Sequence, residues 1–78
     1  YHWRVFRALL DCLHRRAELE RLIQWARRKR FPGPEKCYRR RLLDEEQRLI
    51  AYTLRAPRLT VCARIIHHWW SHLNPPRR

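Results

Sequence analysis

From Trp3 to Arg30 the chain contains neither glycine nor proline; then Phe31-Pro32-Gly33-Pro34 brings together its one glycine and two of its five prolines. This break constrains the fold more than any other feature. Proline lacks the amide hydrogen a helix interior needs, and the residue before it is pushed out of the helical region, so a helix reaching Arg30 stops there. Proline at the first helical position suits a new start. Glu35 then falls in a first turn, where an acid complements the helix dipole. Ala56-Pro57 is a second break and Asn74-Pro75-Pro76 a third. The expected elements are helices over about 3–30, 34–55 and 58–73, then a basic, Pro-rich tail over 74–78, all in one helical domain over 1–78.

Apolar spacing supports helices throughout. Val5, Phe6, Leu9, Leu10, Leu13 and Ala17 share one face. Leu19, Leu22, Ile23 and Ala26 share another, rotated by more than a third of a turn at about 100° per residue. Either one long helix serves two neighbours in succession, or it bends or breaks near residues 14–17; the reading adopted is helix throughout, with a bend or short break there. The second helix has a stripe of Tyr38, Leu42, Leu43, Leu49, Ile50 and Leu54. Its Asp44, Glu45 and Glu46 read as solvated surface, paired with Arg40, Arg41 and Arg48 one turn away. The third carries the cleanest stripe, Leu59, Cys62, Ile66, Trp69 and Leu73, with Arg64, His67, His68 and Ser71 on the other side. No useful period-two alternation occurs. The expected fold is all-α: a small antiparallel, bundle-like arrangement of three helices, or four if the first breaks.

At 78 residues with a third of them charged, such a chain buries only about 60–65% of its unfolded surface, so a lone fold is marginal. Four Trp, three Tyr and two Phe are many for this size, and stability borrowed from a larger assembly is expected. Three cysteines, Cys12, Cys37 and Cys62, form no C-x-x-C pair and suggest a reducing compartment. No apolar run approaches the roughly 20 residues of a membrane span, and no secretory signal pattern is present. The chain contains no methionine and begins at Tyr1, which fits a processed or partial product: loss of an organelle-targeting segment is one explanation, truncation another.

Catalytic chemistry finds little to work with. There is one serine, Ser71, and no nucleophile in a recognisable elbow or glycine-rich loop to cradle phosphate. The chain is therefore expected not to be an enzyme. For metal, His68 and His72 are one turn apart, but structural zinc needs four ligands at tight local spacing, and the cysteines are scattered; no metal is expected. Trp69 belongs to the apolar stripe and is expected in the core. Trp70 lies at its margin, placed to meet a partner or lipid headgroups. A membrane surface met through Trp69 and Trp70 is thus one candidate partner, although Arg58 and Arg64 are weak charge for an anchor.

Charge is the strongest signal. The net charge is +12 with a pI near 11.4, which speaks about partners: nucleic acid, an anionic membrane or an acidic protein. Residues 27–41, RRKRFPGPEKCYRRR, hold eight cations and one acid. Arg27, Arg28, Lys29 and Arg30 end one helix; Arg39, Arg40 and Arg41 begin the next, so the turn brings the two clusters together. Cations at a helix C-terminus suit its dipole, but those near the start of the second helix oppose it, which points to something outside the chain. Phosphate is one answer, with Tyr38, Trp25 and Phe31 for stacking; an acidic protein is the other.

Val5-Phe6-Arg7-Ala8-Leu9-Leu10, then Trp25-Ala26-Arg27-Arg28, then Phe31-Pro32-Gly33-Pro34-Glu35-Lys36, then Leu42-Leu43-Asp44-Glu45-Glu46-Gln47-Arg48-Leu49 occur in that order. Over roughly residues 3–55 this resembles the LYR-motif family of small mitochondrial proteins, with Val5 and Phe6 standing where the family has Leu and Tyr. The resemblance implies a three-helix bundle on the matrix side of mitochondria. It further implies an accessory or assembly subunit of a respiratory complex, iron–sulfur machinery or mitochondrial ribosome, docking the acidic acyl carrier protein. Arg7 and the cations at 27–30 and 39–41 would meet that partner. Phe6, Leu10, Leu13, Leu42 and Leu49 would line an interior for the acyl chain on the partner's phosphopantetheine; read from the residues alone they are ordinary core. No cofactor is expected to bind the chain directly. The alternative is a small RNA-binding subunit of an organellar ribosome or other ribonucleoprotein.

Overall fold

A computed structural model describes residues 2–73. The described chain is all-α: α1 (His2–Lys29), α2 (Pro32–Arg55) and α3 (Pro57–Leu73). The expected stop at Asn74-Pro75-Pro76 and the basic tail lie outside the described residues. α1 runs unbroken for 28 residues, so the break expected near residues 14–17 does not occur. The rotated apolar faces have the other origin: one helix serves two neighbours. Its first half packs under both α2 and α3, its second half under α2. α1 and α2 are antiparallel, with Arg27 opposite Glu35 and Arg15 opposite Glu45. α3 returns along the first half of α1 in the same direction as α1, setting the Trp70 ring edge-on to His14, 5.5 Å between centroids. The bundle measures 42 × 27 × 15 Å.

Both breaks are one or two residues long and close on backbone hydrogen bonds. At the first, the Phe31 amide donates to the Ala26 carbonyl at 2.9 Å and the Arg30 amide to Arg27 at 3.2 Å. This is the Schellman end of a helix, which needs a left-handed residue, and Arg30 supplies it at φ 59°. The lone glycine is not that residue. α2 begins two residues earlier than expected, at Pro32, with Phe31 as its cap residue, so Gly33 lies inside the first turn. There the absence of a Cβ lets the chain stay helical directly before Pro34. At the second break Ala56 does everything: its amide donates to Tyr52 at 2.8 Å, and its carbonyl accepts the Thr60 amide at 3.0 Å and the Thr60 hydroxyl at 2.8 Å.

The core joins all three helices through Leu9, Cys12, Leu13, Leu49 and Ala63, with Val5, Phe6, Leu10, Tyr52 and Leu59 packed around it. Beyond the reach of α3, Leu19, Ile23 and Ala26 are buried too. Two expected stripes turn out rotated. On α2 the inward positions are Tyr38, Leu42, Glu45, Leu49 and Tyr52, whereas Leu43, Ile50 and Leu54 are exposed, Leu54 by 80%. Glu45, read as surface, is buried.

α3 departs further. It packs through Thr60, Ala63, His67 and Ser71, part of which is the side read as polar. Cys62, Ile66, Trp69 and Leu73, read as core, are exposed, Trp69 by 62%. The reason is steric. The distance between helix axes depends on the side chains at the crossing. Ala63, fully buried, lets α3 approach closely, where an isoleucine or tryptophan would hold it off. Leaving the larger side chains outside forgoes about 1.5–3 kcal/mol for each that full burial would bring.

Candidate anion-binding surface

The turn between α1 and α2 is built by two helix ends that need no side chain of their own to close, which leaves its side chains to face outward. Glu35, the one acid of residues 27–41, sits between the clusters. Its Oε2 accepts both Nε and Nη2 of Arg39 at 2.9 Å and lies 3.7 Å from Arg27 Nε. The two clusters are thus brought together through a carboxylate that two guanidiniums already neutralise. Arg28, Lys29, Arg30, Lys36, Arg40 and Arg41 are exposed and make no ion pair among the described residues. Trp25 and Phe31 pack edge-on at 5.6 Å with 41% and 46% of their surface open, beside those cations.

The arrangement corrects two expectations about the clusters. Arg39, Arg40 and Arg41 are consecutive on a helix and fan around it about 100° apart. Arg39 turns into a groove of about 320 Å³ with Arg27, Glu20 and Glu46, and Arg41 into the opposite groove with Glu18 and Asp44. Arg40 points away from the bundle. Positive charge therefore wraps the end of the molecule and does not form one flat patch. Because α2 starts at Pro32, Arg39 is also well past its first turn, where the dipole has faded, so opposition to that dipole is not what sets these arginines apart. Arg7, grouped with the clusters through the family resemblance, is exposed on α1 about 30 Å from Arg27 along the helix and stands outside this end.

The five apolar candidates are packed within the bundle. Leu13 and Leu49 are buried in the central cluster, Phe6 and Leu10 pack against it, and half-buried Leu42 lines the groove beside Ile23. Among the described residues no group of three or more His, Cys, Asp or Glu is placed to hold a metal ion, and all three thiols are free. His68 and His72 stack at 6.3 Å on the exposed side of α3.

Sequence reasoning missed a buried carboxylate that ties α1 to α2. Glu45 Oε1 accepts Arg15 Nε at 2.9 Å and Arg48 Nη1 at 3.2 Å, and the Cys12 thiol donates to the Glu45 carbonyl at 3.4 Å. Burial alone would raise the Glu45 carboxyl. The hydrogen bond from Arg15, with the charges of Arg15 and Arg48, outweighs it and holds the group below the usual range. Burial and the neighbouring carboxylate push the Cys12 thiol up to about 11, so it is a structural thiol and not a nucleophile. The signal that could have found Glu45 is its spacing: it falls between Leu42 and Leu49 on the i, i+3, i+7 line. Searches against family models, curated proteins and solved structures find no match to this chain.

Proposed function

We propose that the chain is a small, non-enzymatic accessory or assembly subunit that docks an acidic protein through the end of the bundle bearing the α1–α2 turn. The observation that carries this reading is the set of exposed cations Arg28, Lys29, Arg30, Lys36, Arg40 and Arg41, which form no ion pair among the described residues, around Glu35, itself already neutralised by Arg27 and Arg39. Six exposed cations with no ion-pair partner among the described residues repel one another, and an acidic surface relieves that repulsion. Five of the six lie on helix turns next to the break, a rigid setting, and Arg28, Arg40 and Arg41 among them suit bidentate contacts to carboxylates. The resemblance to LYR-motif proteins extends the proposal to a large mitochondrial complex, on the matrix side, with acyl carrier protein as the partner. In that reading the acylated phosphopantetheine is carried by the partner, and the packed apolar residues between the helices would have to part to admit it.

Trp25 and Phe31, half-exposed beside the cations, favour one rival: a small RNA-binding subunit in which the rings stack on bases. The two separate by titration. The docking reading expects tight binding of acyl carrier protein that Arg40→Glu/Arg41→Glu abolishes, and little affinity for generic RNA even at about 50 mM salt. RNA binding that falls steeply between about 50 and 200 mM salt, with no binding of the carrier protein, would replace it with the ribonucleoprotein reading.

A further inference from the structure

We propose that the outward face of α3, with the start of α1, is a docking surface for an anionic lipid bilayer. The inference uses the half of the molecule away from the α1–α2 turn and does not depend on what that turn binds.

Ile65, Trp69, Cys62, Leu73 and Ile66 occupy about a third of the circumference of α3 at about 100° per residue, and all are exposed. The face continues across a groove of about 310 Å³, where Ile66 and Trp70 stand opposite Leu10 and His14. On α1 it reaches Trp3, which stacks on Phe6 at 6.2 Å with 67% of its surface open. No helix among the described residues is long and apolar enough to cross a membrane. An exposed apolar face on a helix of 17 residues instead suits lying in the interface, buried about 5–10 Å deep.

Charge decides the occupant. From Gln47 to Leu73 there is no Asp or Glu, but there are Arg48, Arg55, Arg58 and Arg64; the first ten residues carry Arg4 and Arg7 and no acid. Asp11 is the single carboxylate at the groove. A second copy of this chain would bring another +12 against the first. Protein interfaces fix their register by pairing charges of both signs, and this half offers essentially one. A planar, diffusely negative surface needs no register, and it takes apolar side chains without matching their shape. Tryptophan, apolar in body and polar at its N–H, settles at the headgroup boundary. Trp3, Trp69 and Trp70 all border this face.

The test uses the full chain carrying Trp25→Phe, so that tryptophan emission reports this face alone, with vesicles of phosphatidylcholine with or without about 30% phosphatidylserine. At about 150 mM salt the expected result is co-sedimentation and a blue shift with the anionic vesicles and neither with the neutral ones. Ile65→Ser/Trp69→Ser changes two exposed side chains, so circular dichroism should stay the same while vesicle affinity falls by about tenfold or more. Absence of binding to the anionic vesicles overturns the proposal. So does equal binding by the double variant, which would mean adsorption by charge alone. If the double variant loses capture of acyl carrier protein while vesicle binding is unchanged, a protein covers this face and the proposal fails.

Discussion

Glu45 is the residue on which the packing of α1 against α2 turns. Its side chain is 8% exposed, against 47% and 61% for those of Arg15 and Arg48, so the carboxylate is desolvated while its partners keep much of their water. Such a pair is worth less than a fully buried one, but removing the charge leaves two arginines aimed at a weaker acceptor. Glu45→Gln is expected to lower stability by about 1–2 kcal/mol at neutral pH, read by urea denaturation. The folded-state carboxyl titrates below its ordinary value of 4.5, so its contribution is complete above that pH and is lost as pH falls through the folded value. The variant should therefore lose less stability than the parent on acidification below pH 4.5; parallel losses in both proteins would show that Glu45 is not coupled to folding. A second group adds to the acid limb at higher pH. Burial, then the charges of His14 and His68, lower His67. Its neutral form is favoured in the fold, and stability begins to fall below the ordinary histidine value of 6.5.

At the scale of elements, the two breaks are where sequence and structure agree best, and the faces are where they differ. Proline acts on its own residue and the one before it, so the helix ends near Arg30 and Arg55 follow from local chemistry. The residue that takes the left-handed position does not, because glycine was available three places away and went unused there. Arg30 bears that conformation at a cost of about 1–2 kcal/mol. Arg30→Gly is expected to stabilise the chain by about 0.5–1 kcal/mol once the extra freedom of glycine in the unfolded state is subtracted, seen as a rise in the denaturation midpoint. No change, or a loss, would mean that the arginine side chain holds the turn by some other contact. For α3 the difference is one of roll. Periodicity establishes that an apolar face exists, but the face that packs is the one whose side chains let two axes come close.

The whole molecule is a thin bundle, 15 Å in its smallest extent, carrying +12. Its core is correspondingly small, and several large apolar side chains stay outside it. Self-repulsion of this size works against the compact state, and salt screens it over about 10 Å at 0.1 M. The isolated chain is therefore expected to melt at higher temperature in about 300 mM than in about 50 mM sodium chloride. A gain of about 1 kcal/mol would appear as about 4–8 °C for a chain of this length. A melting temperature that is flat or falls with salt would mean that internal ion pairs, such as those of Glu45 and Glu35, outweigh the repulsion.

The sequence by itself determined that the chain is helical, where its prolines interrupt it, and the gathering of cations around one turn. Each of these depends on neighbours in the chain: a proline, the residue before it, a run of arginines, a 3.6-residue period. The rest waited on the tertiary structure. That α1 is continuous, that Glu45 lies inside and Trp69 outside, and that Arg39 and Arg41 face opposite grooves are all matters of how a helix is rolled about its own axis. Roll depends on which side chains meet at a crossing with a distant segment. Ala63 and Thr60 allow the close approach of α3, and nothing in the residues next to them announces it.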